Sequence, residues 1–135
     1  MIVKKDVVCG LGEIGKPILQ LISKGVESVG FDIDPSLVDK EKMSKLEFVP
    51  TELLHIAIPY GEKFHANVVK LISRFKPQGV VIHSTISPGT TERLQKQVKI
   101  PVIYSATRGV HKRMIKDLKR YAKFYSVYGW APKSG

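Results

Sequence analysis

The chain has 135 residues, of which 43% are hydrophobic and 25% charged, a balance that fits one folded domain with a sizeable core and excludes a chain disordered throughout. No apolar run approaches the length of a membrane span, Lys4 and Lys5 come too early for a signal peptide, and a single cysteine, Cys9, excludes an internal disulfide, so a cytoplasmic protein is expected. The formal net charge of +10 favours anionic partners, whether nucleotides, sugar phosphates or nucleic acid, without choosing among them.

Residues 3–9 read as strand one. The strand breaks into Gly10-Leu11-Gly12-Glu13-Ile14-Gly15, a G-x-G-x-x-G run that passes at once into a helical pattern. That is the dinucleotide-binding fingerprint in its proper context. Gly10 makes the tight turn, Gly12 lets a pyrophosphate approach the backbone, and Gly15 lets the helix pack closely on the sheet. Leu11, Glu13 and Ile14 complete the loop, whose free N–H groups at a helix N-terminus suit an anion. The helix carries Ile14, Ile18, Leu19, Leu21 and Ile22 at helical spacing and stops at Gly25, and Pro17 is tolerated in its first turn.

Strand two, 28–31, delivers Asp32 about twenty residues after the glycines, where a ribose-binding carboxylate belongs. The plainer role for Asp32 is a solubilising strand-end carboxylate. Asp34 either stands in for it or caps a short helix over 37–39. Residues 40–48 read as a charged surface connection, with a short strand over 46–49. Strand three, 53–58, is a continuous apolar run interrupted by His55 and ended by Pro59. Continuous apolar character argues for a strand covered on both faces, hence a parallel sheet.

A helix over 62–75 presents Phe64, Val68, Leu71, Ile72 and Phe75 on one side. Strand four, 80–83, is followed by the polar loop Ser84-Thr85-Ile86-Ser87-Pro88-Gly89-Thr90-Thr91 and a helix to 98, starting either at Ser87 as cap or nearer Thr90. Strand five is 102–105. Arg108-Gly109-Val110-His111 leads into a last helix, and 124–128 makes a sixth strand. That helix sets Met114, Ile115, Leu118, Tyr121 and Ala122 against Lys112, Arg113, Lys116, Lys119, Arg120 and Lys123. The pattern is that of an ordinary surface helix, with nucleic acid or an acidic partner protein as the sharper alternative.

Strands alternating with helices predict a single α/β domain over 1–135, a doubly wound, mostly parallel Rossmann sheet of about six strands in the order 3-2-1-4-5-6. Ligands of such sheets lie at the C-terminal strand ends where the order reverses, here between strands one and four. The rule gathers Gly10 to Gly15, Asp32, Pro59, Ser84, Thr85 and Arg108 around one crevice. Arg108 suits bidentate binding of a phosphate or carboxylate, with His111 beside it, which points to a phosphorylated small molecule as second ligand. The four histidines have no metal-ligand spacing, so no metal is expected. His55 reads as a satisfied core histidine and His83 as the one nearer the crevice.

Gly10-Leu11-Gly12-Glu13-Ile14-Gly15-Lys16-Pro17, then Gly30-Phe31-Asp32-Ile33-Asp34, then Ile56-Ala57-Ile58-Pro59, then the Ser84 to Thr91 segment resemble, in that order, the N-terminal NAD-binding domain of the UDP-glucose/GDP-mannose dehydrogenases. The S-T-x-x-x-G-T-T segment is the most specific of these. The resemblance implies NAD as cofactor, bound by Gly10, Gly12, Gly15 and Asp32, with Pro59, Ser84 and Thr85 near the nicotinamide end and Thr85 assisting the chemistry as a catalytic residue. It weakens after Thr91. Where the family usually has a Pro-Glu pair after strand five, this chain has Ala106-Thr107-Arg108-Gly109-Val110-His111, and the family's nucleophilic cysteine and catalytic lysine have no counterpart before Gly135. The expected function is an NAD(H)-binding domain acting as a small oxidoreductase or as one component of one, self-associated or completed by a separate catalytic partner. The alternative is a non-catalytic nucleotide-binding or nucleic-acid-binding module.

Overall fold

A computed structural model describes residues 3–105 of the chain. Its strands are β1 (Lys5–Cys9), β2 (Ser28–Phe31), β3 (Thr51–Ile56), β4 (Gly79–Ile82) and β5 (Val102–Tyr104). All four pairings are parallel, in the order β2-β1-β3-β4-β5. The α/β, doubly wound class is as the sequence predicts. The strand order is not: strand three lies against β1 instead of outside β2, and the reversal falls between β1 and β3.

Residues 38–50, between β2 and β3, also differ from expectation. The expected short strand over 46–49 is a turn, preceded by helix α2 (Lys40–Lys45). Asp39 caps α2, its carboxylate accepting from the Lys42 N–H at 3.1 Å. The Leu46 and Val49 carbonyls accept from the buried Lys5 ammonium at 2.6 and 2.7 Å. Burial holds the Lys5 pKa below its ordinary value. Strand β2 is an edge of the sheet.

Helix α1 (Gly15–Ile22) packs Ile18 and Ile22 on Val8 and Leu11 on one face of the sheet. The opposite face carries α3 (Phe64–Phe75) and α4 (Thr90–Gln97), whose Phe64, Val68 and Leu94 meet Val7, Cys9, Leu54, Ile56, Val80 and Ile82. Alternating side chains on buried parallel strands supply both cores. Asp34 caps the short helix, which is a 3-10 turn over Pro35–Leu37, β3 starts two residues earlier than expected at Thr51, and of the two expected starts α4 takes the one at Thr90, with Gly89 as N-cap. Arg108, His111, the last helix and the sixth strand lie outside the described residues. Among the described residues, no helix is long and apolar enough to cross a membrane.

Leu94 is fully buried in the α4 contact with the sheet. Leu94→Ala is expected to cost about 2–5 kcal/mol, seen as a lowered urea midpoint at unchanged m-value, with the exposed Lys96→Ala within about 0.5 kcal/mol of the parent.

Candidate functional site

The glycine loop is pinned between two strands. Gly10 donates its N–H to the Phe31 carbonyl at 2.9 Å, and the Ala57 N–H donates to the Cys9 carbonyl at 2.8 Å. Gly10 has φ +95°, and a Cβ there would lie 2.7 Å from the Ala57 carbonyl group. A Cβ on Gly15 would lie 1.6 Å from the Gly10 carbonyl oxygen. Both residues are glycine because the fold leaves no room for a side chain. Gly12 differs: it is exposed, and nothing lies within 4 Å of where its Cβ would be.

Helix α1 therefore begins against the loop, with its N-terminus at the C-terminal ends of β1 and β2. Ile14, its N-cap, makes no side-chain cap bond, and no acidic residue stands in the first turn. An uncapped N-terminus carries partial positive charge and donors that suit an anion. Leu11 is held from two sides, its side chain in the core with Val8, Ile18 and Ile22 and its N–H donating to Asp32 Oδ2 at 2.7 Å. Asp32 Oδ1 accepts from the Asp34 N–H at 2.9 Å. A carboxylate has about four lone-pair sites, so two remain for an incoming donor. Asp34 is occupied as the cap of the 3-10 turn, accepting from the Ser36 N–H and hydroxyl at 3.0 and 2.7 Å, bonds that lower its pKa. Glu13 and Ile14 are exposed, and Ile33, next to Asp32, is 96% exposed.

On the other side of the β1/β3 reversal stand Pro59, Ser84 and Thr85. Pro59 and Thr85 are exposed, whereas Ser84 is buried and donates its hydroxyl to the Ile58 carbonyl, tying the end of β4 to that of β3. The switch-point rule thus collects the expected residues, apart from Arg108 and His111, at one end of the sheet. Sequence reasoning missed the neighbours of this lip. Tyr60 Oη lies 3.3 Å from Thr90 Oγ1, which also accepts from Arg93 at 3.3 Å, and the side chains of Ser87 and then Thr90 lower the Tyr60 phenol's pKa. A hydroxyl-rich loop with an arginine one helical turn beyond it was the available signal.

Cys9, at the end of β1, is 1% exposed, and burial pushes its thiol up to about 12. It is a core residue and no nucleophile. His55 and His83 are fully buried and bonded to each other, so His83 belongs to the interior under the crevice.

No protein-family model matches the chain, and no curated protein matches it. Among solved structures, the crystal structure of RSP, a Rex-family repressor, superposes with a TM-score of 0.54 at 13% identity, over 96% of this chain and 65% of that one. The chain has a Rossmann-like fold. A second structure, RSP in complex with β-NAD+ and operator DNA, gives a TM-score of 0.49 at 17% identity, over 95% of this chain and 62% of that one. The chain thus spans a little under two thirds of the repressor's length. The dehydrogenase motifs are accompanied by no match to that family.

The three glycines separate by experiment. Gly10→Ala and Gly15→Ala are expected to destabilise the chain by roughly 1–3 kcal/mol or more, whereas Gly12→Ala leaves the thermal midpoint within about 2 °C of the parent. Calorimetric melts of the three variants provide the check.

Proposed function

We propose that the chain is an NAD(H)-binding domain whose task is to bind the dinucleotide rather than to turn over a substrate. The observation that carries this reading is the open space at Gly12 beside an uncapped helix N-terminus, with Asp32 fixed one strand away by the Leu11 N–H. In this reading the pyrophosphate rests on the backbone of Gly10, Leu11, Gly12, Glu13, Ile14 and Gly15, and the two remaining lone-pair sites of Asp32 accept the ribose hydroxyls. The exposed Ile33 offers apolar surface to the adenine. Pro59, Ser84 and Thr85 line the nicotinamide end.

Two observations put the non-catalytic role first. The only described cysteine is buried, with its thiol pKa raised to about 12. A Rex-family repressor, named for regulation and not for catalysis, shares the fold. A second reading, one component of a dehydrogenase, is favoured by the exposed Thr85 in its S-T-x-x-x-G-T-T setting. Arg108 with His111, for a phosphorylated ligand, belongs to that reading.

Calorimetry on the purified chain tests the choice. NAD(H) is expected to bind more tightly than NADP(H), because Asp32 repels a 2′-phosphate, and Asp32→Ala should weaken NAD+ about tenfold and narrow the preference. Tighter binding of NADP+ by the parent chain would sink the assignment. Incubation with NAD+ and UDP-glucose is expected to give no NADH, and sustained NADH formation would put the dehydrogenase reading first.

A further inference from the structure

Asp6, His55 and His83 are each 0% exposed, yet they meet in one chain of polar contacts. Val8 is opposite His55, and His55 is opposite Val81. Strand alternation then puts Asp6, His55 and His83 on the α1 face of the sheet, along a diagonal from the lower half of β1 to the residue after β4. His55 Nε2 lies 3.0 Å from Asp6 Oδ2, and His55 Nδ1 lies 2.9 Å from His83 Nε2. The imidazole rings are stacked, 5.2 Å apart and 18° from parallel. The second Asp6 oxygen accepts from the Leu53 N–H at 3.4 Å.

A Rossmann-like sheet closes as well with apolar residues at these positions, so the polar chain is an expense the fold does not require. Its hydrogens are fixed by its acceptor end. An ionised carboxylate only accepts, so His55 donates from Nε2. Neutral His55 then offers a lone pair at Nδ1, and His83 donates to it from Nε2, leaving His83 Nδ1 as an acceptor. One added proton reverses the sequence. His55 as imidazolium donates from both nitrogens, so His83 accepts at Nε2 and carries its hydrogen on Nδ1. The proton stays on His55, which faces the carboxylate, because burial and then neighbouring His55 hold His83 down to about 3. His83 changes tautomer and not charge. The residues that follow it are Ser84 and Thr85.

We infer that Asp6, His55 and His83 form a proton-operated relay under the nicotinamide side of the crevice, and that it sets which redox form of the cofactor the site prefers. The inference rests on the NAD(H) reading above. Without the added proton the relay carries the net negative charge of Asp6, which favours the cationic nicotinamide ring of NAD+. Proton uptake cancels that charge, so lower pH moves the preference towards NADH, and by linkage NAD+ binding expels the proton. Helix α1 presents Ile18 and Ile22 to this face, Lys4 ahead of β1 gives its ammonium to Gln78 at 3.2 Å, and alternation turns Lys5, Cys9 and Glu52 to the opposite face. Ser105, after β5, is uncharged.

The test begins without nucleotide, by 15N NMR of the imidazoles of the full chain across the pH range in which it stays folded. Both histidines are expected to carry hydrogen on Nε2 at high pH, with His55 gaining a proton and the His83 hydrogen moving to Nδ1 in the same step. In His55→Gln the His83 tautomer should no longer follow pH. Binding measurements on the parent should then show the ratio of NAD+ to NADH dissociation constants rising about threefold or more over that range, and staying flat in His55→Gln. Independent titration of the two imidazoles, or no proton uptake, would overturn the relay while leaving NAD(H) binding intact. If the imidazoles couple and the ratio does not move, the cofactor role is overturned. Failure of either nucleotide to bind at any pH removes the site reading, and the imidazole spectra alone then decide the relay.

Discussion

The first turn of α1 rests so closely on the Gly10 peptide that a methyl group at Gly15 would stand 1.6 Å from the Gly10 carbonyl oxygen, and the rest of the crevice depends on that contact. It fixes the start of the helix at the C-terminal ends of β1 and β2. It forces the intervening residues outward, so that Gly12 faces open space while Leu11 is anchored below in the core and beside it by Asp32. A helix start placed elsewhere would waste its donors on solvent. Here they stand one strand from a carboxylate that still has capacity to accept.

The two lips of the crevice are built by different means. The glycine side is backbone and close packing, with charge from one carboxylate and a helix end. The far side is side chains: Ser84 tying β4 to the Ile58 carbonyl, Tyr60 and Arg93 meeting at Thr90, and, on the α1 face of the sheet, the buried histidine pair. Packing of the first kind tolerates no change at Gly10 or Gly15. The second kind costs stability in a dry interior and returns orientation of charge and hydrogen, which is the currency of ligand discrimination.

Much of this was readable from residue order. The G-x-G-x-x-G run between an apolar stretch and a helical one, with Asp32 about twenty residues on, marks the candidate crevice in the sequence itself. The apolar runs marked the five described strands, and the continuous run of strand three marked a parallel, doubly covered sheet. Strand order was not readable, because apolar runs mark strands as buried without naming their neighbours, and a lysine in an apolar strand gives no hint that its ammonium binds the Leu46 and Val49 carbonyls. The histidine relay was half visible. His55 read as a satisfied core residue, yet the partners that satisfy it lie 49 and 28 residues away, and only strand register brings Asp6 and His83 to the same face. The likeness of the motifs to nucleotide-sugar dehydrogenases supports the proposed cofactor class, while the superposition with a repressor shows how widely a Rossmann-like sheet is reused.

The central claim is that the glycine loop and Asp32 form a dinucleotide site, and it is tested most directly by mapping NAD+ onto the chain with backbone amide NMR. The account predicts the largest shifts at the amides of Leu11, Gly12, Glu13 and Ile14, with further shifts at Asp32, Ile33 and Ser84 and none at Phe48 on the opposite end of the sheet. Shifts centred away from the glycine loop, or a spectrum unmoved by millimolar NAD+, would contradict it.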